Sequence, residues 1–593
     1  MATTLDLNNV ISADRLASEL ASKWQEWNSL RAAWMAEKLE IRNYIFATDT
    51  TKTSNKTLPW KNSTTIPKLC QIRDNLHANY MGALFPNDEW LDWEGGDKDA
   101  VVKAKAETIK AFMYNKTEAS DFRTTVSRLL LDWIDYGNVF STVEFVNETR
   151  TNPATKEEYP GYVGPKLVRI SPFDIVFNPL AADFQSTPKI VRTVKSIGEL
   201  KRDLLNSPGD EDAAKAFTRA MDCRRSLQGI TEGDVIKDHG FQVDGFSSFT
   251  HYYQSQMVEI LTFYGDFYSI EEDKLYENHV IKVIDRAYIL SKKPNDNWLG
   301  TDHFYHCGWR QRPDNLYAMG PLDNLVGMQY RIDHLENLKA DAFDMIAFPM
   351  LKIRGDVQSF EYAPHERIYV GDEGDVDFMH PDPAALSADN QIAILEAKME
   401  EMAGAPKQAM GIRTPGEKTA FEVQALENAA GRIFQNKTLY FESDYLTKVL
   451  NAMLEVGRRN MATPELIRTL DSDVDVVQFK SITKDDIRAS GKLRPIGASH
   501  FAKRAVMVQN LVQLLQSPVG QDPAINVHLS GKKLAKAAED ILDLQRFELF
   551  GDNIRVIEQM DTQRLMEEGQ QQLATEAATP AGLVPGDSAT PIA

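Results

Sequence analysis

The stretch from Met319 to Asn460 constrains this chain most. Its residue pattern predicts a long helix, a short acidic strand-and-turn segment, a shorter helix, a Gly/Pro loop and then a very long helix. The first helix is expected over Met319–Asp344, roughly 39 Å at 1.5 Å per residue. Leu325, Met328, Ile332, Leu335, Ala342 and Met345 recur every three or four residues and make one buried stripe. Asp333, Glu336, Asn337, Asp341 and Asp344 fall on another face, which the pattern predicts to be wet and acidic. The returning helix is expected over Asp389–Met402, with Ile392, Leu395, Met399 and Met402 inward and Glu396, Glu400 and Glu401 away from that stripe. A hairpin of two such helices cannot bury itself. It reads as one stave of a ring.

Between the helices, Pro349 ends the first. PMLKI and ERIYV read as short strands around an acidic turn, Gly371–Asp377, and Phe348–Ala388 carries eight acidic and three basic residues. Fourteen residues, Gly404–Glu417 (GAPKQAMGIRTPGE), form a loop longer than compact element pairs usually tolerate, a length often tied to function. Thr419 and Glu422 make a capping box for the next helix, which runs to Arg459 with Gly431 as a bend.

Size and charge narrow the class. At 593 residues, several domains are expected. The net charge of −20 argues against a surface that grips nucleic acid by neutralising phosphates, although an acidic wall lets DNA slide past. Cys70, Cys223 and Cys307 are too scattered for a disulfide framework or a zinc site. The opening MATTLDLNNV has no apolar core of a signal peptide, and no run approaches a membrane span.

The flanking regions are mixed in character. One helix is predicted from a Ser12 cap to Tyr44, followed by a polar arm over Ala47–Pro67 and a second helix over Ile66–Leu84. A third, around Phe122–Ile134, stops at Gly137, and alternating Val139, Ser141, Val143 and Phe145 begin a strand. Leu167–Leu290 is strand-rich, with a helical insert over Ile197–Cys223 and no βαβ repeat, so the fold class is α+β. Past Thr463 come a strand (VDVVQF), a turn over Gly491–Ala498, helices near Val506–Leu515, Lys532–Phe547 and Asn553–Glu568, and a loose Ala/Pro-rich tail.

Enzyme signatures are sparse. TDHFYHC places Asp302, His303, His306 and Cys307 together, so a metal-dependent hydrolase around His303 and His306 stands as an alternative, but no further spaced Cys or His lies nearby. The chain has no phosphate loop, nucleophile elbow or dinucleotide fingerprint. Glu396 and Glu400, four apart, read more simply as a solvated pair than as an acid/base dyad.

The segments SPFDIVFNP (171–179), MVEILTFYGDF (257–267), WRQRPDNLYAMGPLDNLVGMQYRIDHLENLKADAF (309–343) and TPGEKTAFEVQALENAAGRIFQ (414–435), in this order, resemble the portal (head–tail connector) proteins of tailed bacteriophages. The likeness is greatest to those of short-tailed phages and spans about residues 32–516. It implies a portal fold with a helical stem, a β clip, an α/β wing and a helical crown. Residues 319–347 would descend as the stem, 348–388 form the clip, 389–403 ascend, 404–417 form the tunnel loop, 418–498 the long wing helix and its strand, and 499–569 the crown. It further implies a twelve-fold ring at one capsid vertex of the virion, assembled in a bacterial cytoplasm. The ring would conduct double-stranded DNA without sequence preference, and the protein would be no enzyme and need no cofactor. Expected partners are the major capsid protein, the terminase large subunit, the head–tail adaptor and a scaffold protein, with no membrane. On this reading Lys407, Arg413 and Lys418, in or beside the tunnel loop, either touch the DNA backbone weakly or pair with neighbouring carboxylates, and Met410 and Ile412 either form an apolar constriction or pack against a neighbouring subunit. Asp333, Glu336, Asp341, Asp344, Glu396 and Glu400 line its acidic wall. Arg354, Asp356, Glu361, Arg367, Asp372, Glu373 and Asp375 belong to the clip that docks motor and adaptor. A non-conducting ring adaptor is the other structural alternative.

Overall fold

A computed structural model describes residues 14–57, 62–86, 90–95, 100–152, 154–205, 211–227, 255–295, 303–358, 368–379, 387–403, 433–461, 464–470, 477–488 and 490–496. The chain divides into two compact units, Met1–Thr469 with Val477–Ser499, and Leu470–Val476 with His500–Ala593. Apart from Leu470, the second unit lies outside the described residues, as do the three expected C-terminal helices.

Helices α1 (Arg15–Leu30) and α2 (Ala32–Ile45) replace the single N-terminal helix expected. Arg31 breaks it, with φ −100° and ψ 7°. Its buried guanidinium donates to the carbonyls of Pro172 and Ile175 at 2.6 and 2.7 Å, to that of Phe173 at 2.5 Å and to Asn28 Oδ1. Those long-range bonds outweigh helix continuation. The chain continues through α3 (Lys68–Leu84), β1 (Leu91–Glu94), α4 (Ala100–Ala119) and α5 (Phe122–Tyr136). Gly137 closes α5 at φ +72°, as expected, and a Cβ there would lie 2.4 Å from the Gly320 nitrogen.

The strand-rich region is antiparallel throughout. It comprises β2 (Asn138–Thr151), β3 (Glu158–Ile170), β4 (Ile175–Phe177), β5 (Lys189–Ser196), helices α6 (Ile197–Leu205) and α7 (Glu211–Leu227), then β6 (Met257–Ser269), β7 (Lys274–Ile284), β8 (Tyr288–Pro294), β9 (Phe304–Gly308), β10 (Arg310–Arg312) and β11 (Asn315–Met319). One sheet has the order β3-β2-β9, another β4-β5-β6-β7-β8. Strand alternation sorts the five-stranded sheet's two faces. Leu261, Phe263, Ile281 and Val283 pack with Leu20 and Trp24 of α1, whereas Val258 and Ile260 pack with Ala213, Ala216 and Ala220 of α7.

The remaining elements are α8 (Val326–Ala347), the hairpin β12 (Met350–Arg354) and β13 (Asp375–Met379), α9 (Asp389–Ala403), a helix over residues 433–440 that widens to a π-turn at Phe441–Leu446, α10 (Thr447–Asn460), and β14 (Glu465–Leu470), β15 (Val477–Ile482) and β16 (Lys492–Pro495). The first long helix of the hairpin starts at Val326 rather than Met319, because Asn315–Met319 pairs as a strand with β10. Residues 492–495, expected in a turn, pair with β1 instead. Of ERIYV, the described part holds a single bridge, Val370 to Val357. α10, α5, β2, α3 and the near ends of α8 and α9 share the main core, where Tyr445 Oη meets Ser141 Oγ at 2.6 Å. The described residues are an α+β assembly.

Candidate functional site: the helical hairpin and its β tip

Helices α8 and α9 pack on each other through Ile332, Leu335, Ile392, Met399 and Ala403. Lys339 bridges them, 2.8 Å from both Glu336 and Asp389, and these hydrogen bonds, Asp389's foremost, raise its pKa. Two expected wall residues are not on a wet face. Glu400 is buried and ion-paired with Lys68 of α3 at 2.6 Å, while Met402, expected inward, is exposed. Asp333 is fully buried.

The cover over Asp333 is the end of the polar arm. Residues 62–66 lie extended along α8, and its polar side chains bind their backbone. Asp341 Oδ1 accepts from the Asn62 amide at 3.1 Å and from Asn62 Nδ2 at 2.8 Å, and Asp344 accepts from Asn62 Nδ2 at 2.9 Å. Asn337 both accepts from the Thr64 amide and donates to its carbonyl, at 2.8 and 2.7 Å. Asp333 accepts from the Ile66 amide at 3.1 Å, from Thr65 Oγ1 at 2.9 Å and from Gln329 Nε2 at 2.9 Å. Gln329 in turn donates to the Ile66 carbonyl at 2.6 Å and accepts from the Leu69 amide at 3.1 Å. The spacing 329, 333, 337, 341 matches one helix face, and the ladder satisfies the Asn62, Thr64 and Ile66 amides and the Thr64 carbonyl of a strap whose Ser63 carbonyl accepts from the Thr50 amide. Burial pushes the Asp333 carboxyl up to about 6 against the hydrogen bonds that favour its charge. The acid-and-amide stripe was visible in the sequence as polar. Its occupant, some 270 residues earlier, was not. Glu336 and Glu396 are half-buried, Asp341 likewise, and Asp344 is exposed.

Among the described residues of 343–379, no large apolar side chain is buried. Phe343, Ile346, Phe348, Met350, Ile353, Tyr369, Val370, Phe378, Met379 and Ile394 are all exposed, Phe348 at 66% and Ile353 at 53%. Among the described residues, strands β12 and β13 pair only with each other, setting Lys352 opposite Asp377 and Arg354 opposite Asp375. Gly355 turns the chain at φ +77°, where a Cβ would stand 2.1 Å from the Glu373 carbonyl oxygen. Arg354, Asp356, Asp372, Glu373 and Asp375 are exposed on this tip. A two-stranded hairpin is marginal in water by itself. Covering each of these large apolar side chains contributes about 1.5–3 kcal/mol. Glu361 and Arg367 lie outside the described residues, as do Lys407, Met410, Ile412, Arg413 and Lys418 with the whole expected tunnel loop, the Thr419–Glu422 capping box and Gly431.

The histidine pair does not converge. His306 sits on β9 and His303 just before it, and residues three apart in extended chain face opposite sides. The His306 ring stacks on Phe140 at 4.7 Å, and burial holds its imidazole down at about 4. Asn138 Nδ2 donates to the carbonyls of Tyr136 and Ala318, so its Oδ1 is the acceptor for His306 Nε2 at 3.0 Å, which therefore carries the proton. A nitrogen so engaged is not available to a metal. Among the described residues no three His, Cys, Asp or Glu side chains gather to hold an ion, and no helix is long and apolar enough to cross a membrane. Neither known protein-family models nor characterised proteins give a match to this chain.

Proposed function

We propose that this chain is the subunit of a phage portal, a closed ring of twelve copies, through which double-stranded DNA passes during packaging and ejection. One observation carries the reading: a helical hairpin ends in a β tip studded with large exposed apolar side chains, with none buried among its described residues. Such a surface is stable when equivalent hairpins of neighbouring copies cover it, and a head-to-tail contact that closes makes a ring. The strap of residues 62–66 and the Lys68–Glu400 pair tie the near half of the hairpin to the body, as a stave under load requires. The exposed, mostly acidic tip (Arg354, Asp356, Asp372, Glu373, Asp375) is the surface offered to the terminase and the head–tail adaptor, and the capsid and scaffold proteins are the remaining partners. In this reading the DNA is bound weakly and without sequence preference, with Lys407 and Arg413 its cationic contacts. The protein is no enzyme and acts in the virion.

The test is negative-stain imaging of the purified full chain. Rings with an axial channel are expected. A stable monomer by sedimentation at micromolar concentration under all salt conditions would sink the proposal.

A further inference from the structure

Where β10 meets the helix of residues 433–440, two cations share one indole. Trp309 is buried, and its Nε1 donates to Tyr80 Oη at 3.3 Å. Lys437 Nζ stands 4.7 Å from the Trp309 ring centroid and donates to the Trp309 carbonyl. The guanidinium carbon of Arg310 stands 5.2 Å from the same ring. Gln311 Nε2 donates to Tyr440 Oη at 2.5 Å and locks the strand to the helix. Arg310 and Gln311 are exposed and Lys437 is half-buried, so the place is open to solvent.

Neither cation has a carboxylate partner among the described residues. Among the described residues, Arg310 and Lys437 make no ion pair, in a chain whose 86 acidic residues outnumber its 66 Lys and Arg. Burial, and after it the Arg310 charge, holds the Lys437 ammonium below its ordinary range. Two like charges held against one ring repel each other unless an anion joins them. Arg310 brings a planar fork of donors that matches two oxygens of a tetrahedral anion, and Lys437 a point charge for a further oxygen.

We infer that Arg310 and Lys437, over the Trp309 indole, form a binding site for a phosphate group. The group comes either from a free phosphate or from a nucleic-acid backbone, and the site stands whether or not the chain forms a ring.

The experiment is calorimetric titration of the full chain with inorganic phosphate at low ionic strength, beside anisotropy of a labelled twelve-base-pair duplex. Saturable phosphate binding is expected, weakened at least tenfold by Arg310→Gln and by Lys437→Gln. It should be kept by Lys437→Arg and by Arg225→Gln, which removes a remote exposed guanidinium on α7. Thermal melting of each variant checks folding, and Lys437→Arg guards against a loss caused only by the missing bond to Trp309. Duplex binding that falls with the same two substitutions assigns a phosphodiester; phosphate binding without it assigns a free anion. Phosphate binding that does not saturate, that ignores both substitutions, or that acetate competes for equally well overturns the inference.

Discussion

Replacing Asp333 by Asn should stabilise the strap at neutral pH and remove its dependence on pH. The Asp333 carboxyl is buried, no cation is among the groups that shift it, and burial raises it to about 6 from an ordinary 3.8. Between those values the folded chain holds a proton that the unfolded chain has lost. The stability Asp333 confers is therefore greatest below pH 3.8 and declines as pH rises through about 6. At about 1.4 kcal/mol per pKa unit, the whole difference is about 3 kcal/mol. Asn keeps the acceptor at Oδ1 for Ile66 N and Gln329 Nε2, and its new amide nitrogen meets Thr65 Oγ1, a hydroxyl that accepts as well as donates. No charge is buried, and the Thr65 hydroxyl hydrogen that the carboxylate accepted turns to solvent from a half-exposed residue. Hydrogen exchange at the Thr64 and Ile66 amides, corrected for intrinsic rates, reads the local opening. In the wild type these amides should open about fiftyfold more readily at pH 7 than at pH 4, and in Asp333→Asn nearly equally at both. Asp132, which burial also raises to about 6, titrates in both proteins and cancels in the difference. Parallel pH profiles for the two proteins would refute the reasoning.

Arg31→Met should lower the thermal midpoint measurably, by about 3 kcal/mol of stability, since the Pro172 and Ile175 carbonyls, both in buried bonds, and the part-buried Phe173 carbonyl lose their donor; an unchanged melt would show that water replaces the guanidinium. Lys68→Met or Glu400→Leu alone should cost about 3–5 kcal/mol by stranding a buried charge, while the double substitution recovers most of it, and additive losses in that cycle would contradict the pairing. Phe348→Asp with Ile353→Asp should leave the protomer's melt unchanged yet abolish rings in negative stain, because both side chains are exposed in the single chain; intact rings would mean that the tip is no interface. Lys407→Ala with Arg413→Ala should keep the ring and alter the length or retention of packaged DNA, and wild-type particles would show these cations to be uninvolved.

Much of the architecture was legible because it is local. The Gly137 stop, the helix Asp389–Ala403 and the alternating strands of the β region follow from periodicity and backbone chemistry that a few neighbouring residues decide. Even the polar stripe at Gln329, Asp333, Asn337 and Asp341 is written in i,i+4 spacing. Periodicity separates apolar from polar, however, and cannot say whether a polar face meets water or another part of the chain. Only the tertiary structure laid residues 62–66 on that stripe, buried Glu400 against Lys68, broke the first helix at Arg31 for carbonyls more than 140 residues away, and turned residues 492–495 into a strand on β1. Each of these outcomes is a backbone or charged group finding its partner at long sequence separation, and leaving such a group buried without one is costly.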